Sequence, residues 1–309
     1  MRPFLAPVLL AAATASCASA ATGPVTPANV AQRIAGARGG ETLVLAPGDY
    51  GVLTFPRKVF APAITVDLSK ARVSGIVLMG VSGVHLRGGM VRGTPGEGYA
   101  ISIRRASDIR VTGMTLTSAA RGIVVNEGRD IVLTDNVLTG LRTDGINIAA
   151  SQRVRVTGNS CHHFSPRPPV FDEAGNKVKD GDHPDCIQAW SVAGLPPTAD
   201  LLVERNRAEG AMQGVFMGGS DRTGGFDRIT IRDNELKVGF YWGVAIAKVR
   251  GATVTGNRIS PFPGSVHPRT KRPITPFMNV EGTGLTVCGN SIAGRPKWPG
   301  QEPCPKSGS

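Results

Sequence analysis

The sequence predicts an all-β fold, a single-stranded parallel β-helix whose first coil is capped by an N-terminal helix. The first observation is an internal repeat, in which the apolar residues Ile101, Ile123 and Ile146 follow one another at intervals of 22 and 23 residues. The second is the glycine content of 40 in 309 residues, well above the usual share of about 7%. A β-sandwich also has many short strands, but it does not explain a fixed repeat, so we rank it behind the β-helix.

Each repeat contains three short apolar runs, which we interpret as the three strands of one coil. The first runs begin with a small residue or cysteine and cover residues 100–103, 122–125, 145–148, 186–189, 214–217 and 243–246. The second runs end in Gly or Asn and cover residues 109–113, 131–136, 154–159, 202–206, 229–234 and 254–257. A third run follows, as at residues 137–138 and 258–259. One corner of the coils is predicted to carry a stacked asparagine ladder of Asn136, Asn159, Asn206, Asn234, Asn257 and Asn290.

The two ends of the chain are predicted to lie outside these coils. Residues 1–20 combine Arg2, an apolar stretch and Ala18-Ser19-Ala20, the order found in a cleaved signal peptide. Residues 26–37 are amphipathic and are predicted to form the capping helix, with residues 42–50 as the first turn. We therefore assign the β-helix domain to residues 21–294 and a C-terminal tail to residues 295–309. We expect a secreted or periplasmic protein, since no later segment is apolar for the 18 or so residues of a membrane span.

Four cysteines remain after the signal peptide, and they allow three disulfide connectivities. We favour a bond between Cys288 and Cys304, which would attach the tail to the last coil. Cys161 and Cys186 are interpreted as buried thiols. No CxxC pair or other zinc-ligand spacing occurs among them.

The charge of the chain indicates its partner. Lys and Arg number 35 and Asp and Glu 23, a formal net charge of +12 at pH 7. Such an excess favours association with acidic polymers. We expect an acidic polysaccharide and not a nucleic acid.

Strand alternation predicts which side chains leave the coils on one face. If Ile101, Ile123 and Ile146 point inward, the residues two positions earlier form an exposed column: Tyr99, Arg121, Asp144, Asp185, Gln213 and Trp242. A second outward column contains Ser102, Val124, Asn147, Gln188, Phe216 and Ala245. Coils stack about 4.8 Å apart, so Asp144 and Asp185 should face each other one coil apart.

An insertion between these coils brings more titratable groups to the same place. Residues 162–184 are polar and rich in proline, and they deliver Asp182 and His183 immediately before Asp185. Long loops of this kind are often functional, and mutual repulsion and burial would shift the pKa values of the carboxyl groups. The alternative is that Asp144 and Asp185 are ordinary turn residues that satisfy the backbone.

These features resemble the right-handed parallel β-helix of the pectate lyase and polygalacturonase superfamily, the pectin lyase-like proteins. The capping helix followed by GETLVLAPGDYGVLTF resembles the entry into the β-helix of secreted alginate and chondroitin lyases. The resemblance implies a right-handed β-helix and a carbohydrate-active protein. It leaves the reaction open, because one fold carries lyases, epimerases, hydrolases and proteins without activity.

We rank a lyase or C5-epimerase of a uronate-containing polysaccharide first. In that reading His183 is the base, Tyr99 or a water is the acid, and Arg121, Asn147 or Gln188 neutralises the uronate carboxylate. Calcium held by Asp144, Asp182 and Asp185 could neutralise it instead, because calcium prefers oxygen ligands; otherwise no cofactor is required. Gln213, Trp242 and Lys248 complete the expected substrate-binding surface, with Trp242 and Tyr99 as candidate platforms for sugar stacking.

Two further readings stay open. Thr143-Asp144-Gly145-Ile146 followed by Asp185-Cys186-Ile187 resembles the acidic coils of polygalacturonases, whose aspartates act as acid and base in hydrolysis. Here Met212-Gln213-Gly214 replaces the Gly-His-Gly motif of that family. The third reading is a binding or cell-surface protein without catalysis.

Overall fold

The computed structural model describes residues 23–219, 225–295 and 298–305 and shows a parallel β-helix of about nine coils. The predicted signal peptide, residues 1–20, lies outside the described residues. One short helix, α1 (Val30–Gly36), covers the first coil with Val30 and Ile34. It begins four residues later than expected, because residues 26–29 form a turn in which the backbone N–H of Asn29 donates to the Thr26 carbonyl.

The strands of each coil belong to three parallel sheets, which we call sheets A, B and C. Sheet A contains Val52–Thr54, Gly75–Met79, Tyr99–Arg104, Arg121–Asn126, Ile146–Ala149, Asp185–Ser191, Gln213–Gly219 and the first parts of Trp242–Thr255 and Phe277–Cys288. Sheet B contains Thr42–Val44, Val59–Asp67, Ser82–Arg87, Ser107–Thr112, Arg129–Thr134, Gln152–Thr157, Thr198–Glu204, Phe226–Arg232 and the remaining parts of those two long strands. Sheet C contains Gly48–Asp49, Ala71–Val73, Met90–Arg92, Thr115–Thr117, Val137–Thr139, Ser160–His162, Arg207–Gly210, Glu235–Val238, Arg258–Pro261 and Ser291–Ile292.

The interior is filled by aliphatic side chains that stack coil upon coil. Ile101, Ile123, Ile146 and Ile187 are fully buried and lie in register with one another, which confirms the predicted inward positions. Burying a side chain of this size contributes roughly 1.5–3 kcal/mol. The stacked core therefore fixes which residues of each strand face outward.

The predicted asparagine ladder is present at the corner between sheets B and C. The Nδ2 group of each asparagine donates to the Oδ1 atom of the next, from Asn136 to Asn159 at 2.9 Å and onward to Asn290. The six side chains are almost completely buried. Because every amide is paired, the corner contributes stability without leaving a buried polar group unsatisfied.

Both pairs of mature cysteines form disulfides. The predicted bond between Cys288 and Cys304 is confirmed, and it attaches the tail, with its short 3₁₀ helix Pro299–Gln301, to the last coils. The interpretation of Cys161 and Cys186 as thiols is wrong, because they also form a disulfide. This disulfide joins sheet C strand Ser160–His162 to sheet A strand Asp185–Ser191, and the two Cα atoms are 5.6 Å apart. Two disulfides indicate an oxidising, extracytoplasmic compartment.

The insertion between Cys161 and Cys186 forms a small antiparallel hairpin of Val170–Phe171 and Lys177–Lys179. Asp182 fixes its base: the Arg142 Nε lies 3.2 Å from the Asp182 carboxylate, and the Arg167 backbone N–H donates to the same group. No helix among the described residues is long and apolar enough to cross a membrane.

Candidate active site

The predicted outward column is present on sheet A. Tyr99 pairs with Arg121, and Asp185 pairs with Gln213. The pairing of Ile146 with Ile187 places Asp144 one coil before Asp185. The column continues through Trp242 to Phe277, which was not among the predicted residues.

The centre of the column is buried, contrary to the expectation of an exposed surface. Asp144 is 3% exposed, Asp185 1% and Gln213 8%, whereas Tyr99 at one end is 37% exposed. The two carboxyl groups are held against the sheet by hydrogen bonds from the second column, three residues further along each strand. Strand alternation predicts the face of a side chain but not how far its neighbours cover it.

Asp144 lies in an ion pair with the preceding coil. The Arg121 Nε donates to the Asp144 Oδ2 at 2.8 Å, and the Asp185 backbone N–H donates to the Asp144 Oδ1 at 3.3 Å. Burial raises the pKa of Asp144, and the Arg121 guanidinium opposes this rise. The adjacent positive charge favours the ionised form of this carboxyl group.

Asp185 occupies a different electrostatic environment. Burial, together with the negative charge of Asp144, raises the pKa of Asp185 well above its usual range. The Gln188 Nε2 donates to the Asp185 Oδ2 at 2.6 Å, while the Asp185 Oδ1 is buried and has no hydrogen-bond partner among the described residues. These surroundings favour the neutral acid, with Oδ1 as the oxygen able to carry the proton.

The orientation of the Gln188 amide is fixed by donors on its other side. The Trp190 indole N–H donates to the Gln188 Oε1 at 2.6 Å, and the Asn147 Nδ2 donates to the same oxygen at 2.5 Å. An indole N–H can only donate, so the Gln188 oxygen faces Trp190 and its NH₂ group faces Asp185. Trp190 is therefore a positioning residue; strand alternation could have identified it, two residues after Gln188.

Aromatic side chains form an exposed ridge beside this pair. We call them the aromatic ridge: Trp190, Phe216, Tyr241, Trp242 and Phe277. Ring centroids of neighbours are 4.2–6.4 Å apart along the series, and every member is at least partly exposed. Such a surface suits the apolar face of a sugar ring. Of these five residues only Trp242 was predicted as a stacking platform; Tyr99, the other predicted platform, lies outside the ridge.

At the other end of the column, Tyr99 lies beside a cation. The Arg121 guanidinium is 5.9 Å from the centre of the Tyr99 ring, within the range of a cation–π contact. The exposed phenol is thus held close to the charged end of the Arg121–Asp144 pair.

The structure does not bring His183 into contact with the carboxyl pair. The His183 Nε2 lies 3.4 Å from the Asp180 carboxylate, and its ring faces Phe240 at 6.5 Å. The side chain is 58% exposed and forms no ion pair with Asp144 or Asp185 among the described residues. The insertion turns this histidine toward its own loop, so the prediction that it lies next to Asp144 receives no support.

The three aspartates expected to bind calcium have different partners. Asp182 pairs with Arg142 at the base of the insertion, whereas Asp144 pairs with Arg121 and Asp185 accepts from Gln188. Within the described ranges, no group of three or more His, Cys, Asp or Glu side chains could hold a metal ion. Lys248 lies at the bend of the long strand Trp242–Thr255, where the register shifts, and so stands outside both columns.

Comparison with known proteins agrees with this architecture. Residues 74–259 match the family model described as "Right handed beta helix region". No curated protein sequence matches the chain.

Similar solved structures include DFA-IIIase from Arthrobacter chlorophenolicus A6 in complex with DFA-III, with 14% identity and a TM-score of 0.45. They also include the PL6 family alginate lyase AlyGC, with 18% identity and a TM-score of 0.43. A third is an alginate lyase from Paenibacillus sp. str. FPU-7, with 14% identity and a TM-score of 0.32. The alignments cover 86%, 86% and 85% of this chain and 59%, 50% and 93% of the respective relatives. The chain thus spans only half to three fifths of the length of the first two.

Proposed function

The chain belongs to the right-handed β-helix family, and on this premise we propose that it cleaves an acidic, uronate-containing polysaccharide bound along sheet A, with Asp185 as the proton donor. The observation that carries the proposal is the contrast between two adjacent carboxyl groups. Asp144 is paired with Arg121, whereas Asp185 is buried against Asp144 and retains an unpaired oxygen. Surroundings that push two neighbouring pKa values apart are typical of an acid and a base with separate roles.

Hydrolysis is the reaction that fits this pair of carboxyl groups best, and we therefore rank it before cleavage by a lyase. The neutral Asp185 donates the proton of its Oδ1 to the glycosidic oxygen as the bond from that oxygen to the anomeric carbon breaks. Asp144, whose ionised form the Arg121 guanidinium stabilises, accepts a proton from the water that attacks the anomeric carbon. After the bond breaks, Asp144 releases the proton that it took from water and Asp185 takes up a proton from solvent, so the pair returns to its starting charge.

Elimination or epimerisation is the second candidate, and a specific observation supports it. Arg121 and Tyr99 lie together at the exposed end of the column, where a guanidinium could neutralise a uronate carboxylate and a phenol could donate a proton. His183, exposed on the insertion, remains the proposed base in this reaction. The insertion would have to bring its ring toward the substrate.

Binding is supported by the surface around the pair. The aromatic ridge offers stacking positions, and the net charge of +12 favours an anionic chain. Because Asp185 is 1% exposed, substrate must displace the groups that cover it before Oδ1 can act. Catalytic contacts often become complete only in the substrate complex.

Product analysis tests the proposal. The purified protein is incubated with polygalacturonate, alginate and a neutral glucan, and reducing ends and near-ultraviolet absorbance are followed together. Hydrolysis of a polyuronate gives reducing ends without absorbance. An unsaturated product would put elimination first, and loss of that activity in His183→Ala would then assign the base. Absence of product from every acidic polysaccharide would overturn the catalytic proposal.

A further inference from the structure

We propose that a cleft beside Tyr99 is a distal subsite for a uronate unit of the same polysaccharide. This inference rests on the proposed function. It places recognition of the acidic sugar at a position separate from Asp144 and Asp185. The subsite combines a cavity of suitable size, polar groups suited to sugar hydroxyls and, beside the cavity, a cation that forms no ion pair with the described residues.

The cleft exists because the outward-facing side chains of the column on sheet A become smaller toward the N-terminal end. Ser74 occupies the position before Tyr99, and its backbone N–H donates to the carbonyl of Gly51 in the coil below. Beside these small residues lies a cavity of about 410 Å³ between Val52 and the Tyr99 ring. Ligand sites commonly have volumes of roughly 300–1,000 Å³, so the cleft can hold a sugar unit.

The lining of the cleft suits hydroxyl groups. Ser74, Thr94 and Ser102 contribute hydroxyls, and Glu97 contributes an exposed carboxylate. The Glu97 side chain forms no hydrogen bond or ion pair within the part of the chain that the structure describes. A carboxylate can accept from two neighbouring hydroxyls of one ring, while the Tyr99 ring supplies an apolar wall.

Arg104 lies next to the Tyr99 wall of the cleft, outside its immediate lining, and supplies the charge that a uronate requires. Its guanidinium lies 6.0 Å from the centre of the Tyr99 ring, on the same strand as Ser102. The Arg104 Nε is buried without a partner, and its side chain forms no ion pair among the described residues. Arg121, on the next coil, is instead neutralised by Asp144. A ligand carboxylate would give Arg104 an acceptor that the described residues do not provide.

The position of the cleft sets the length of ligand that it recognises. Ser74, Tyr99, Arg121 and Asp144 occupy successive coils, so the cleft lies about 14 Å from Asp144. Only a chain of several sugar units can reach the cleft and the carboxyl pair together. We therefore expect the subsite to favour long oligouronates over disaccharides.

The test is a calorimetric measurement of oligogalacturonate binding in an Asp185→Asn background, so that the readout does not depend on turnover. Ser74→Phe fills the cleft, and Ser291→Phe is the matched control on an exposed strand of sheet C at the far end. We expect Ser74→Phe to raise the Kd of a hexagalacturonate about tenfold or more and Ser291→Phe to leave it unchanged. Equal affinities of the two variants would overturn the subsite.

Two surface variants keep the test decisive if Ser74→Phe does not fold. Arg104→Gln should reduce the preference for hexagalacturonate over a neutral hexasaccharide by about tenfold, and Glu97→Gln should weaken binding of both. No effect of either variant, or no binding of hexagalacturonate to the parent, would overturn the inference. If the Asp185→Asn parent binds hexagalacturonate through this cleft but the wild type shows no turnover, only the proposed reaction is overturned.

Discussion

Asp144 lies one coil below Asp185, and the Asp144 Oδ1 accepts a hydrogen bond from the Asp185 backbone N–H at 3.3 Å. This contact brings a buried carboxyl group next to a carboxylate that Arg121 stabilises. Two like charges at this separation and in this degree of burial are unfavourable. The pair therefore shares its charge unequally, with the proton on Asp185.

The first prediction concerns the pH dependence of stability. Below about pH 4, Asp185 is protonated in both the folded and the unfolded chain. As the pH rises, the unfolded chain loses this proton first, because burial and Asp144 raise the pKa of Asp185 in the folded state. The contribution of Asp185 to the free energy of unfolding should therefore fall until the pH passes the folded-state pKa.

Asp185→Asn should reduce this fall, as measured by chemical denaturation across the pH range. The matched control is Asp130→Asn, since Asp130 is exposed and its hydrogen bond to Arg153 lowers its pKa. A decline with pH that is equally steep in wild type and Asp185→Asn would show that Asp185 is not the buried neutral acid.

The second prediction concerns coupling between Arg121 and Asp144. Arg121→Gln leaves a buried charge without its partner, and Asp144→Asn leaves a guanidinium without its acceptor. In a double-mutant cycle, the combined variant should lose less stability than the two single losses together, with a coupling of about 1 kcal/mol or more.

The same cycle on Arg153 and Asp130, an exposed pair on sheet B, should give a coupling below about 1 kcal/mol. Additive losses for Arg121 and Asp144 would contradict the proposed charge distribution.

The third prediction concerns the asparagine ladder. The Asn206 Nδ2 donates to the Val156 carbonyl and to the Asn234 Oδ1, and the Asn206 Oδ1 accepts from Asn159. Asn206→Ala removes these partners inside the corner and should lower the free energy of unfolding by about 3 kcal/mol. Asn176→Ala, in the exposed hairpin, should cost less than about 1 kcal/mol. Equal and small losses would mean that the ladder contributes little stability.

The fold could be predicted from the sequence because its determinants repeat. Ile101, Ile123 and Ile146 define an inward stack, and alternation from these positions correctly placed Tyr99, Arg121, Asp144, Asp185 and Gln213 on one face. The same spacing located the asparagine corner. These features depend on strand period and coil stacking, which a single sequence records directly.

The details of the candidate site could not be predicted in the same way. The burial of Asp185 depends on side-chain conformations around Gln188 and Trp190. The position of His183 depends on the path of an insertion whose length follows no repeat, and on the pairing of Asp182 with Arg142. The Cys161–Cys186 disulfide joins strands from two sheets, and sequence spacing did not reveal their separation.

The fourth prediction concerns charge. Binding of a polyuronate should weaken steadily as salt rises, because mobile ions screen the attraction between the cationic protein and the anionic chain. The affinity is measured by calorimetry at low and high ionic strength. A neutral glucan that binds as tightly as polygalacturonate at low salt would contradict an acidic substrate.

The role of Asp185 as proton donor is decided by the initial rate of reducing-end release from the polyuronate that the product screen identifies. This rate is compared between wild type, Asp185→Asn and Asp130→Asn. If Asp185 donates the proton, Asp185→Asn should lower kcat about 100-fold or more while changing KM little, because an acid acts in the transition state. Asp130→Asn should match the wild type. Full activity in Asp185→Asn would contradict the account.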